Sequence, residues 1–308
     1  MMSSSARIDA PPAPAPAAKA EEPAPSQDGW PGGLPALRAE LDRIDDAMHA
    51  LLMQRAKVVE QVAKAGKRSA WRPGREASIV RRLLAQHSGA LPAQALVRIW
   101  RELLAGTTAM QGQFSVAVCE PDGNARFTQT AREHFGALTP LRVHGSPAQA
   151  MAEVSRGAAA VAVLPIPSET EAARDAWWTA LLQKDEPRIH VVARLPFWAP
   201  RPDGAPAAQA LVIAASEPDA SGRDRSLLGL ELDLDVSRAR LTAALTAAGL
   251  VPDTVILRRD QGAQVAHALV DVEGFLADDD RRVAGLGAML RRPVVLGAYA
   301  IPETGGAA

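Results

Sequence analysis

Between Ala36 and Ala65 the sequence carries neither proline nor glycine. Over the same stretch Leu37, Leu41, Ile44, Met48, Leu51, Leu52, Val58, Val59 and Val62 recur largely at three- and four-residue steps. That is the period of an α-helix with one apolar stripe. At about 1.5 Å per residue such a helix runs about 45 Å. This is longer than a small domain needs, so the stripe predicts packing along a partner. A second helix is expected to start at Pro73, a residue suited to a first turn, and to stop near Ser88-Gly89. A third is expected from Pro92 to about Gly112. Three helices of such unequal length close poorly as a monomer, and a homodimer built on the long helix completes the core.

The rest of the composition narrows the class. The 308 residues hold 34 Lys plus Arg against 35 Asp plus Glu, a net charge of -1. That balance argues against a broad basic surface, and no nucleic-acid partner is expected. The longest apolar stretch, Gly157 to Pro167, is well short of the roughly 20 residues that span a membrane. A single cysteine, Cys119, excludes an intramolecular disulfide and a zinc site built on several cysteines, and it fits a reducing, cytoplasmic location. Residues 1–30 hold eight Ala and six Pro with few large apolar side chains. Residues 1–31 are therefore expected to form a disordered leader, and they lack the apolar segment of a signal peptide.

Polar residues on the packing faces carry the chemical information. Leu41, Met48, Arg55 and Val62 are spaced by seven, so Arg55 sits on the apolar stripe. There it is either a snorkelling or structurally paired arginine, or a guanidinium kept for a carboxylate ligand. Arg38 lies seventeen residues earlier, about 25 Å along the helix. The two cannot grip one small molecule from one chain. In an antiparallel pair of long helices, Arg38 of one chain approaches Arg55 of the other. Arg75 and Glu76 open the second helix, where an acid is favoured electrostatically. On the third, Trp100, Leu104, Thr107 and Gln111 share a face. Several arginines, one acid and one amide in a largely apolar bundle suit a small dianion. They do not suit a metal, since His49 and His87 have no ligand cluster around them.

The stretch Leu34 to Gln113 resembles the all-helical chorismate mutase domain. The matching features are Leu37-Arg38, Ile44-Asp45, Leu51 to Arg55, Arg72-Pro73-Gly74-Arg75-Glu76 and Ile99-Trp100-Arg101-Glu102-Leu103-Leu104. The resemblance implies conversion of chorismate to prephenate by a Claisen rearrangement, with no covalent catalyst, metal or cofactor. Catalysis then comes from holding a compact conformer and stabilising charge on the breaking ether oxygen. It further implies that Arg55 binds one carboxylate and the partner chain's Arg38 the other. Glu76 orients the substrate hydroxyl with Arg75 beside it, Gln111 donates to the ether oxygen, and Thr107 assists at a carboxylate. Family members carry an ether-directed lysine near the end of the first helix. Ungapped alignment puts Gly66 there, so Lys67 is the expected substitute and Lys64 the second choice.

After Gln113 the pattern alternates between strand and helix. Strands are expected at Phe114 to Cys119, Leu141 to His144, Ala159 to Leu164 and Ile189 to Leu195. Helices are expected at Thr128 to Phe135, Pro147 to Ser155 and Glu169 to Leu182. Residues 114–222 resemble the first lobe of prephenate dehydratase, a fold like periplasmic binding proteins, through Val163-Leu164-Pro165-Ile166-Pro167-Ser168. The second lobe is largely missing. Ala208, Gln209 and Ala210 stand where that family has Thr-Arg-Phe, so no dehydratase activity is expected. Residues 223–303 read as βαββαβ, with helices Arg238 to Ala248 and Asp278 to Leu290. They resemble an ACT domain at Leu269 to Gly274 and Leu296 to Tyr299. Such domains often pair and bind amino acids. Here the loops at Val236-Ser237-Arg238 and Leu257-Arg258-Arg259 depart from the binding pattern, which leaves a structural or dimerising role beside feedback sensing.

The sequence therefore predicts a leader (1–31), a helical mutase domain (32–113), a truncated dehydratase-like α/β lobe (114–222) and an ACT-like domain (223–303). The expected activity is that of a chorismate mutase with sites shared between two chains. The rival is a non-catalytic protein of the same descent that binds chorismate, prephenate or Phe, or scaffolds neighbouring enzymes of the aromatic pathway.

Overall fold

The computed structural model describes residues 33–65, 71–199, 201–286, 290–291 and 293–304. The expected leader lies outside them, as do Gly66 and Lys67. The chain divides into two compact units, 1–55 and 56–308.

In the first unit, the described residues all belong to helix α1 (Gly33–Lys64), and no residue of that helix is buried. The apolar stripe is on it as expected, and it is uncovered: Leu41 is 60% exposed, Met48 51% and Leu51 65%. On the polar side Arg43 Nη2 pairs with Glu40 one turn earlier, at 2.6 Å.

The second unit contains α2 (Pro73–Gln86) and α3 (Ala93–Ala109), then a mixed α/β body. Its elements are β1 (Val116–Cys119), α4 (Arg126–Phe135), β2 (Leu141–His144), α5 (Pro147–Ser155), β3 (Val161–Pro165), β4 (His190–Leu195), β5 (Trp198–Ala199) and β6 (Ala210–Ala214). There follow β7 (Asp224–Leu232), α6 (Arg238–Ala247), β8 (Pro252–Arg258), β9 (Ala266–Glu273), α7 (Arg281–Ala284), β10 (Val294–Ala300) and β11 (Glu303–Thr304). Nine strands make one sheet in the order β2-β1-β3-β6-β4-β10-β7-β9-β8, and β5 and β11 form a separate ladder. The stretches 114–222 and 223–303 thus share one sheet. They are joined where β10 runs parallel to β4, with Gly297 opposite Val191. Gly297 has φ +140°, and a Cβ there would stand 2.0 Å from the Val191 carbonyl oxygen, so only glycine lets the two strands come this close.

Strand alternation explains the layers. Val116 and Val118 of β1 face one side, with Phe127, Ala131 and Phe135 of α4. Ala117 and Cys119 face the other, with Ala150 and Val154 of α5. Burial pushes the Cys119 thiol up to about 12, so it behaves as a small apolar side chain. Further along the sheet Leu228, Leu230 and Leu232 pack under α6 with Leu241 and Leu245. The opposite face there is covered by Trp177, Trp178, Leu181 and Leu182.

Those four residues correct one expectation. Glu169 to Leu182 was expected to be an α-helix; the structure has 3-10 segments at Ala173–Asp175 and Trp177–Gln183. Both adjacent indoles are buried. Trp177 Nε1 donates to the Pro165 carbonyl at 3.0 Å and Trp178 Nε1 to Glu171 at 3.1 Å. These two anchors, one residue apart, hold the segment to the sheet in a tighter winding. The helix expected from Asp278 to Leu290 is a single turn, Arg281–Ala284, capped by the Asp280 side chain at the Arg282 amide. Gly285 follows it directly, and residues 287–289 lie outside the described ones.

Candidate active site

On α1, Arg38 is exposed and Arg55 half-buried. The alternative lysine, Lys64, is exposed and pairs with Glu60 at 2.7 Å, one turn back on the same helix.

In the second unit, α2 is set by contacts at its first turn. Pro73 occupies the start, and the side chain of Asp219 accepts from the Gly74 amide at 2.9 Å and the Arg75 amide at 3.1 Å. Asp219 also pairs with Arg72 at 3.2 Å. It thus acts as an N-cap supplied from 145 residues away in the chain. Gly74 is needed here, since a Cβ would sit 2.1 Å from the Asp219 carbonyl oxygen. About two helical turns further, Arg81 Nε pairs with Glu303 at 2.5 Å, and its Nη2 donates to the Ile301 carbonyl at 2.6 Å.

This anchoring fixes which way the two candidate residues of α2 point. Arg75 is exposed, and among the described residues its side chain enters no hydrogen bond or ion pair. Glu76 is buried, and its Oε2 accepts from Arg101 Nη1 of α3 at 3.1 Å. Arg101 lies on the buried stripe of α3 with Leu104, Thr107 and Thr108, and its guanidinium carbon stands 5.0 Å from the Phe197 ring centroid. Burial lowers the Arg101 pKa against the pull of Glu76 and Glu133, yet a guanidinium remains charged. Thr107 is buried and its hydroxyl donates to the Leu103 carbonyl at 2.9 Å. Gln111, just past the end of α3, donates its amide to the Thr107 carbonyl at 3.0 Å. Thr107 and Gln111 are therefore linked, and Glu76 is linked to Arg101.

Arg101 and Asp219 are residues to which sequence reasoning gave no role. Arg101 was legible, because it falls on the same three- and four-residue spacing as Leu104 and Thr107. Asp219 was not, since nothing near it in the chain points to α2.

The remaining motif positions are filled by internal contacts. Gln209 accepts from Arg194 at 3.4 Å, and Ala210 is wholly buried in β6. Ser237 caps α6 at the Arg240 amide, 3.2 Å away. Arg259 donates to the Leu234 and Val236 carbonyls, and Arg258 pairs with Asp260 at 2.7 Å. Among the described residues, no group of three or more His, Cys, Asp or Glu side chains could hold a metal ion, and no helix is long and apolar enough to cross a membrane.

Residues 37–112 match the model of the family described as chorismate mutase type II. The chain is 29% identical over 173 residues to the bifunctional chorismate mutase/prephenate dehydratase of Pseudomonas aeruginosa, covering 51% of this chain and 47% of that protein. It is 30% identical over 146 residues to the Aquifex aeolicus protein of the same description, covering 45% and 40%. The chain therefore spans about half the length, or less, of the curated relatives it matches. Among solved structures, the prephenate dehydratase from Streptococcus mutans aligns at 14% identity and a TM-score of 0.43, covering 61% of this chain and 98% of that one. A structure described as a novel type of quorum quenching acylase, GqqA, aligns at 17% identity and a TM-score of 0.47, covering 61% and 96%.

Proposed function

We propose that the chain is a chorismate mutase, an isomerase that converts chorismate to prephenate in aromatic amino-acid biosynthesis. The observation that carries this reading is the family match over residues 37–112, within which Arg38, Arg55, Arg75, Glu76, Thr107 and Gln111 stand in the order the resemblance requires. The substrate carries two carboxylates, and its rearrangement needs a held conformer and a stabilised ether oxygen rather than a nucleophile. Arg55 binds one carboxylate and Arg38 from a second chain the other. Arg75 and Glu76 serve the hydroxyl side, Thr107 assists at a carboxylate, and Gln111 donates to the ether oxygen together with Lys67. The uncovered stripe of α1 supports a homodimer, because a second copy of the helix would cover Leu41, Met48 and Leu51.

The remainder of the chain is proposed to be a truncated dehydratase-like lobe followed by an ACT-like domain with a structural or dimerising role. Ala208 and Gln209 supply neither the hydroxyl nor the guanidinium that dehydration needs, so prephenate is the final product. The arginines that fill the loops at 236–238 and 257–259 support the structural role. Purified protein supplied with chorismate alone is expected to consume it and accumulate prephenate without phenylpyruvate. Absence of turnover at concentrations that saturate binding would replace this reading with that of a non-catalytic binding protein.

A further inference from the structure

On the face of the sheet away from α6 and α7, a pocket of about 100 Å³ opens where β4 and β10 meet. Its walls are apolar: Leu211, Leu227, Ile256 and Leu269, with Ile166 and Pro167 beside them. Its polar end is built from Arg194, Tyr299 and Asp271. The sheet register brings these together, since Arg194 stands opposite Leu211 and Leu227 opposite Asp271.

The charges at this end do not cancel symmetrically. Asp271 is served twice: its Oδ1 accepts from Arg225 Nε at 2.6 Å and its Oδ2 from the Tyr299 hydroxyl at 2.5 Å. Arg225 reaches a second acid, Asp253, at 3.2 Å. Arg194 is different. Its Nη1 donates to the Tyr299 hydroxyl at 3.2 Å and its Nη2 to the Gln209 amide oxygen at 3.4 Å, both neutral groups. Among the described residues it enters no ion pair, and its Nε is buried without a partner. Burial and the Asp271 carboxylate raise the Tyr299 pKa, so the phenol keeps its proton and adds no charge of its own. The pocket thus offers, at the end of an apolar slot, one half-buried guanidinium that enters no ion pair among the described residues.

We propose that this pocket binds a small monocarboxylate with an apolar body, its carboxylate on the Arg194 guanidinium and its body against Leu211, Leu227, Ile256 and Leu269. A guanidinium fork matches a carboxylate in two parallel bonds. A cavity of about 150 Å³ holds benzene, so this smaller, open slot takes a body of about four to six carbons. An amino acid fits less well than the corresponding acid without nitrogen, since the carboxylate that could accept an ammonium, Asp271, is already matched by Arg225 and Tyr299. This site is independent of the mutase reading, and its test involves no turnover.

Calorimetric titration of the full chain with isovalerate is expected to give saturable binding with a dissociation constant on the order of 1 mM. The neutral isostere 3-methylbutanamide and L-valine should each bind roughly tenfold or more weakly. Gln209→Glu, an exposed change that hands Arg194 a carboxylate within the chain, should weaken isovalerate about tenfold. Arg174→Gln, at an arginine that is 87% exposed and outside the pocket, should leave it unchanged. Arg194→Met, checked for intact fold by circular dichroism, should abolish binding. The proposal is overturned by absence of saturable binding, by equal binding of the amide or of L-valine, or by an unaltered Gln209→Glu variant.

Discussion

The Glu76 carboxylate on the first turn of α2 meets the Arg101 guanidinium of α3 at 3.1 Å, with side chains 11% and 6% exposed. Two charges removed from water are tolerated because each answers the other, and because the guanidinium lies against the Phe197 ring. The pair links α2 to α3.

Removing one member should therefore cost more than removing both. Arg101→Met removes the guanidinium that faces the buried Glu76 carboxylate and is expected to lower unfolding free energy by about 3 kcal/mol. Adding Glu76→Gln should recover roughly 1 kcal/mol or more. Urea denaturation of both variants checks this, and equal losses would show that the ion pair contributes nothing of its own.

The cap from Asp219 gives a second expectation. Asp219→Ala deprives the Gly74 and Arg75 amides of their acceptor, a loss of about 1–2 kcal/mol. Gly74→Ala drives a methyl group into the Asp219 carbonyl and should cost about 2–3 kcal/mol. Since α2 presents Glu76, both variants should also lose mutase turnover. Urea denaturation followed by circular dichroism checks both losses.

The proposed shared site predicts complementation. Arg55→Ala and Arg38→Ala should each lower kcat/KM by roughly 10²–10³, the scale of one oriented donor, with the helical circular dichroism signal intact. Mixing the two variants after partial unfolding and refolding should restore one intact site per mixed dimer. Activity that stays at the level of the single variants would exclude sharing between chains.

A pH dependence follows from His134. Burial, and then the nearby Arg101 guanidinium, hold its pKa well below the usual imidazole value of 6.5. Its ring is packed edge-on against Trp71 and Phe135. Below about pH 6.5 the unfolded chain binds a proton that the folded chain refuses, so stability rises with pH in that window. The contribution is complete above about 6.5 and is lost as pH falls, at up to about 1.4 kcal/mol per pH unit. Chemical denaturation between about pH 7 and 5.5 should show this slope, and His134→Gln should flatten it.

Much of the architecture is legible from spacing. The stripe from Leu37 to Val62 gives α1, and the short apolar runs at Val116 and Val161 give strands because four-residue buried runs with valine at alternate positions are too short for helices and suit a covered sheet. Legibility fails where distant groups decide. Trp177 and Trp178 are bound to Pro165 and Glu171, and those bonds, invisible in a periodicity plot, override a helix-compatible sequence. Asp279 and Asp280 suit a helix start, but Gly285 ends the helix after one turn. Among the candidate residues, the burial of Glu76 and Thr107 follows from their places on α2 and α3, whereas the roles expected of them come from the resemblance alone. Arg101 is legible as a buried-face residue from its spacing with Leu104 and Thr107, but that Glu76 is its partner shows only once α3 is laid against α2.

The glycine seam between Val191 and Gly297 has an evolutionary corollary. Domains are commonly exchanged at linkers where few bonds cross, but here a cut near residue 222 would pass through a continuous hydrogen-bonded lattice. It would strip β4 of one of its two neighbours, β10, and bare the indole of Trp178. The C-terminal stretch of this chain is therefore not a portable module. A graft from a relative could succeed only if it brought its own glycine opposite Val191, which makes that position a gatekeeper for recombination.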